Sequence, residues 1–234
     1  MTFFKFVFLF LFTTIIYAKP LIIDDKTSSY DLLPYSEIYI DNSKSLTLQD
    51  IQKKQIKFKD NTKSLLGYGY SPDFNVWVKF TIQKNTNKSI EKIIEYDNSL
   101  TTEVTFFNFD NGYFKIVDGL FNINKRRTIN PIFKITIEPN KSKTYYLKTG
   151  SYITPLILKL NIWNKDQFYV KEMEHQIILA VFFGAMIILA LYNLFIFFFT
   201  KDISYLFYVL YIVGIIIHQL VYVGIGSVYI FSQD

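Results

Sequence analysis

The chain has no cysteine and only two histidines among its 234 residues. Without thiols there is no disulfide framework, so any exported part must hold its core by packing alone. The ordinary zinc-ligand sets cannot be assembled either, and no metal or cofactor is expected. A Ser/His/Asp triad would have to use His175 or His218, one at the edge of an apolar segment and one inside another. The largest absence is of charge. None occurs from Ile177 to Phe199, and after Lys201-Asp202-Ile203-Ser204 none occurs from Tyr205 to Gln233.

Each uncharged run is long enough to cross a hydrocarbon layer of about 30 Å at about 1.5 Å per residue. Spanning helices are expected over 177–199 and 205–228, joined by the short Lys201–Ser204 turn. The N-terminus matches this placement. Lys5, the apolar stretch Phe6–Ile16 and Ala18 before Lys19-Pro20 have the layout of a signal peptide over 1–18. The chain beyond Ala18 is then exported, the first helix runs inward, and the Lys201-Asp202 turn faces the cytoplasm. One lysine adds little through the positive-inside rule, so the signal peptide sets the orientation. Tyr205, Tyr208 and Tyr211 fall where interfacial aromatics belong. Asn193, His218 and Gln219 are polar groups inside the runs, expected to bond helix to helix. Gly184, Gly214, Gly224 and Gly226 would permit close helix approach.

The formal net charge of +5 lies between Lys19 and Gln176, scattered rather than clustered. No basic helix or finger spacing accompanies it, and export removes contact with nucleic acid, so no nucleic-acid partner is expected. In this region apolar residues recur with period two, the mark of half-buried strands. In Val76–Gln83 the even positions are Val, Val, Phe and Ile, and the odd ones Trp, Lys, Thr and Gln. Leu156, Leu158, Leu160 and Ile162 line one face of a later strand. Further strands are expected at Ile90–Asp97, Thr102–Asn108, Tyr113–Val117, Ile132–Ile137 and Thr144–Thr149, with one short helical insert at Leu46–Lys54. Asp110-Asn111-Gly112, Asp118-Gly119 and Pro139-Asn140 read as turns. Seven or eight strands at this spacing predict a mainly β fold, a β-sandwich or jelly roll over 30–165, ahead of two transmembrane α-helices. Residues 166–176 read as a helical connector running directly into the first span.

Candidate chemistry favours binding over catalysis, and no enzyme is expected. Trp77 and Lys79 share a strand face, offering a stacking surface beside a cation unless the sheet is covered on both sides. Arg126 and Arg127 offer fork-like donors to a carboxylate or phosphate unless they only close a turn. Glu95, Asp97, Glu103 and Asp118 are available as acid/base carboxylates, but the pattern singles out no pair.

The order of these motifs resembles a known family. Asn75-Val76-Trp77-Val78-Lys79-Phe80-Thr81-Ile82 with Asn85, Asp97–Val104, Asp118-Gly119, Arg126-Arg127 and Pro131–Ile137 are similar to one of its exported domains. Phe183-Gly184, Leu191-Tyr192-Asn193-Leu194-Phe195 and Asp202–Tyr208 are similar to its membrane region. The family is the bacterial receptors with seven transmembrane helices and diverse intracellular signalling modules, here with the second of their two types of extracellular domain. The resemblance implies a jelly-roll sensor like carbohydrate-binding modules, a small extracellular ligand such as a carbohydrate or organic anion, and a place in the bacterial cytoplasmic (inner) membrane. It also implies five further helices and a cytoplasmic output domain, so a truncated receptor is expected. Lys79 stands where the family often carries arginine, keeping the charge but not the planar fork. Pairing with a second copy of the chain stays open, as does an anchored β-domain that contacts another exported protein or envelope glycan without signalling.

Overall fold

A computed structural model describes residues 20–24, 26–53, 56–84, 88–108, 114–122, 126–226 and 228. The signal-peptide segment, Asn85 and the Asp110-Asn111-Gly112 turn lie outside the described residues. Among the described residues, thirteen strands precede two long helices. They are β1 (Leu21–Ile23), β2 (Ser29–Asp31), β3 (Ser36–Asp41), β4 (Lys59–Asp60), β5 (Leu66–Tyr70), β6 (Asn75–Lys84) and β7 (Ile90–Tyr96). The series continues with β8 (Glu103–Asn108), β9 (Phe114–Asp118), β10 (Ile132–Ile137), β11 (Ser142–Gly150), β12 (Pro155–Leu158) and β13 (Leu160–Asn164). Helix α1 (Leu48–Lys53) interrupts the strands, and α2 (Lys165–Thr200) and α3 (Ile203–Tyr222) come after them.

The strands form a sandwich. One sheet has the order β4-β3-β6-β11-β8-β9, with β1 joining β6, and the other has the order β10-β7-β13-β2. The alternation in β6 works as the sequence predicts on one side. Val76, Val78, Phe80 and Ile82 enter the core between the sheets, facing Ile94, Tyr96, Phe133, Ile135 and Ile162. Apolar burial of this kind, at about 25 cal/mol per Å², is the main term holding a cysteine-free domain together. A tight turn between β10 and β11 uses Asn140 at φ 51°, a conformation Asn tolerates better than most side chains.

The predicted strand through Leu156–Ile162 is instead two. Strand β12 pairs with β5 in a small third sheet, whereas β13 pairs with β7 and β2. Lys159 marks the change, and its carbonyl accepts the Asp97 N–H at 2.9 Å. All four apolar side chains still point into one core. Period two reports the buried face; it does not report the neighbouring strand. Strands β3 and β5 were not anticipated. In β5 the sequence Leu-Gly-Tyr-Gly-Tyr dilutes the apolar pattern, and Gly69 takes φ 82°.

Helix α2 runs unbroken from the end of β13 through the whole first apolar run. It stops at Lys201 in the left-handed conformation, and Asp202 then caps α3 by accepting the Ser204 N–H at 2.9 Å. The second helix ends at Tyr222, short of the expected residue 228. Gly224 comes next but one at φ 85°, a turn that leaves the helical path.

Candidate functional site

Trp77 is not a binding platform. It is fully buried, stacked on Phe107 at 5.4 Å between ring centroids, and covered by Leu48 and Ile51 of α1. Thr47 fixes the start of that short helix, accepting the Asp50 N–H while its own N–H donates to the Asp50 carboxylate. The insert covers the outer face of the larger sheet around Trp77, while Lys79, Thr81 and Gln83 further along β6 are half-exposed. Lys79 is likewise committed, bonding Glu37 at 2.7 Å and lying over the Phe58 ring.

An open site lies to the side of this cover. Strand β4 pairs with β3 only at Glu37 and Ile38, leaving the rest of the β3 edge open. A cleft of about 360 Å³ forms there, with Ile38, Ile40 and Leu66 in its walls, Tyr39 and Tyr68 as rings, and Lys57, Lys59 and Asp60 as charges. Asn61 holds the floor rigid by donating to the Leu33 carbonyl at 2.7 Å and the Lys63 carbonyl at 2.8 Å. Tyr68 meets Phe74 edge-on, and burial raises its phenol above the ordinary value. Ring faces, apolar wall and a net positive rim suit a small polar ligand with flat apolar patches or a negative group. None of these side chains was singled out in the sequence, because they come from three segments that only the fold brings together. The one local hint is the alternation Lys57-Phe58-Lys59.

Arg126 and Arg127 sit elsewhere and do different things. Arg126 is buried. It forms an ion pair with Asp118, both side chains being 3% exposed, and donates to the carbonyls of Thr128 at 3.1 Å and Ile129 at 3.4 Å. Burial pulls its guanidinium down to about 10, an effect opposed by the Glu172 carboxylate. Arg127 is exposed, and its carbonyl accepts from Gln176 Nε2 at 3.3 Å. Trp77 and Arg126 thus sit in different parts of the domain, one packed with Leu48, Ile51 and Phe107 and the other paired with Asp118.

The arginine loop instead ties the sandwich to α2. Asn130 Nδ2 donates to Glu95 at 2.8 Å and Asp97 at 2.9 Å, while the Ile129 N–H donates to Glu172 Oε1 at 2.8 Å. Glu95, fully buried, also accepts from Trp163 Nε1 at 2.8 Å and pairs with Lys171 of α2. Phe168 is buried against Trp163 below them. A second tie comes from α3. Ser99 Oγ donates to the Val223 carbonyl at 3.2 Å, and a Cβ on Gly224 would come within 2.6 Å of the Ser99 Cβ. Glu95, Asp97 and Asp118, offered by the sequence as acid/base candidates, are thus all held in structural bonds.

Of the polar side chains inside the helices, Asn193 bonds within its own helix. Asn193 is buried and donates to the Leu189 carbonyl at 2.8 Å. The exposed His218 ring stacks on Tyr222, and the Gln219 carbonyl accepts the Val223 N–H at 2.9 Å. Among the described residues, Gly184 and Gly214 have open space where a Cβ would stand, so neither lies at a close contact between α2 and α3.

Residues 33–164 match the family model "7TMR-DISM extracellular 2", and residues 175–234 match "7TM diverse intracellular signalling". No curated protein matches the chain. Among solved structures, TmCBM61 in complex with β-1,4-galactotriose is 4% identical, with 58% of this chain and 92% of that one covered at a TM-score of 0.30. A family 35 carbohydrate binding module from Clostridium thermocellum is 11% identical, covering 59% of this chain and 99% of the module at a TM-score of 0.29. A GH31 α-xylosidase from Xanthomonas citri is 16% identical over 56% of this chain and 15% of its own, at a TM-score of 0.24. Likeness at this level carries no conclusion about what this chain binds.

Proposed function

We propose, from the premise that this chain belongs to the 7TMR-DISM receptors, that its sandwich binds a small ligand in the cleft beside β3 and passes the event to the membrane helices. Membership makes it a membrane sensory receptor with an extracellular N-terminal domain. The ligand class that suits Tyr39, Tyr68, Lys57 and Lys59 is a soluble carbohydrate or organic anion, and the membrane is the bacterial inner one, entered behind a signal peptide. The reading needs no catalytic step.

One observation carries the relay. Helix α2 is a single rigid element from the sandwich into the apolar run, and its second turn is fastened by Lys171 to Glu95 and by Glu172 to Ile129. A shift of the sandwich loops therefore moves the helix, and a ligand that favours one arrangement shifts the population between arrangements.

The test is a thermal-shift panel of neutral sugars and organic anions on the full chain in nanodiscs. A ligand at about 100 times its Kd should add about 2.7 kcal/mol of stability. Lys57→Ala/Lys59→Ala or Tyr68→Ala should abolish the shift. A panel that stabilises nothing, or a shift untouched by those substitutions, would sink the cleft assignment.

A further inference from the structure

A second recess lies where the chain enters the membrane, and the sandwich cleft plays no part in it. It occupies about 510 Å³ between Arg127-Thr128 and one stripe of α2. Tyr169, Glu172, Met173, Gln176, Ile177 and Ala180 make that stripe. They recur at three- and four-residue steps, as one helix face requires. The upper half is polar, and the lower half begins at Ile177, where the uncharged run starts. The groove therefore crosses from the aqueous boundary into hydrocarbon. Few occupants other than an amphiphile match both halves.

Charge narrows the choice. Glu172 is 4% exposed, and among the described residues its Oε2 has no hydrogen-bond partner. Its other oxygen is already used by Ile129 and Gln176. Arg126, whose guanidinium the Glu172 carboxylate acts on, is in direct ion pair with Asp118. Two buried carboxylates thus share one guanidinium, and Lys171 is taken by Glu95. The recess itself is lined by one carboxylate, Glu172, and one guanidinium, Arg127. A buried carboxylate oxygen without a partner costs several kcal/mol, and a ligand N–H donor removes that cost.

We infer that this groove seats one phospholipid whose headgroup carries a primary ammonium, of the phosphatidylethanolamine type. The ammonium donates to Glu172 Oε2, and an acyl chain lies along Ile177 and past the small Ala180. A quaternary ammonium fits poorly because it has no N–H to donate, and a headgroup without nitrogen leaves Glu172 unpaired.

The experiment extracts the full chain from nanodiscs holding equal phosphatidylethanolamine, phosphatidylcholine and phosphatidylglycerol, and counts retained lipid by mass spectrometry. Phosphatidylethanolamine should be retained about tenfold over each of the others, the worth of one charge-assisted bond. Glu172→Gln should remove that preference. Because Glu172→Gln also touches the Ile129 bond, Ala180→Phe serves as a second variant. It fills the apolar half, leaves Glu172 in place, and should lower retention of all bound lipid while the melting temperature holds. Soluble phosphoethanolamine should not compete at concentrations where the lipid does. Equal retention of the three lipids, preference surviving Glu172→Gln, or full competition by the soluble headgroup overturns the assignment. A groove that proves shielded but free of lipid overturns it too, in favour of a protein segment.

Discussion

Glu95→Gln is the sharpest probe of the joint between sandwich and membrane. The native carboxylate is fully buried and accepts from Asn130, Trp163 and Lys171 at once. Glutamine keeps one acceptor oxygen and sets its own N–H₂ against donors. Breaking a buried ion pair costs about 3–5 kcal/mol in general. Here the Lys171 side chain is 32% exposed, so water recovers part of the loss and about 2–3 kcal/mol is expected. Lys171→Met leaves the fully buried carboxylate two neutral donors and no cation, and should cost about 3–5 kcal/mol. If the two groups act as a pair, the double variant should fall short of the sum by at least about 1 kcal/mol. The assay is urea unfolding of the full chain in nanodiscs, followed by tryptophan emission in a Trp77→Phe background. Trp163 is then the sole indole, and its N–H bonds the very carboxylate being altered. Its emission should move to the red in Glu95→Gln before any unfolding begins. Additive single effects together with an unmoved emission would refute the joint.

Trp77→Ala should cost about 3–5 kcal/mol, read as a lower urea midpoint, because it empties the layer between β6 and α1; an unchanged midpoint would mean that α1 does not cover the sheet. Gly224→Ala meets both a φ of 85° and the Ser99 Cβ, strain and overpacking of about 1–3 kcal/mol each. In this cysteine-free chain a Ser99→Cys label should react faster once Gly224→Ala is added, whereas Gly214→Ala, with open space around it, should change nothing. Burial raises the Tyr96 phenol to about 12. Between pH 10 and 12 the folded chain keeps a proton that the unfolded chain releases. Stability should therefore be complete below about pH 10 and fall by about 2.7 kcal/mol through that window, a limb that Tyr96→Phe removes.

How far the sequence could be read depended on how local each signal was. Alternation in β6 and the uncharged runs after Gln176 are properties of single segments, and both led directly to strand and helix. Trp77 shows the limit. Period two separates two faces of a strand, but which face meets solvent depends on an insert some thirty positions earlier, and α1 decided it. Arg126 and Arg127 look alike in sequence, yet one neutralises Asp118 inside the domain and the other stands at the membrane entrance. The cleft was the least legible part. Tyr39, Lys57 and Tyr68 meet only because β4 is too short to cover the β3 edge.

The proposed sensing needs a physical link between that cleft and the joint, and one runs through packed, hydrogen-bonded groups. Tyr68 of the cleft lies near enough to Tyr96 to perturb its hydroxyl. That hydroxyl donates to the Ile157 carbonyl at 2.9 Å, on the strand paired with β5. Asn98 donates to the same carbonyl, and its neighbour Asp97 shares Asn130 with Glu95, the partner of Lys171. Proximity does not make this a transmission route. Coupling requires that ligand and helix each favour the same one of two arrangements, and the size of the response is bounded by the ligand's difference in affinity between them. A tenfold difference moves the helix equilibrium by about 1.4 kcal/mol at most. Loosening Glu95 from Lys171 costs more than that, so a weak ligand cannot work by breaking the joint. It must work by moving the joint intact, with α2 carried as part of the sandwich.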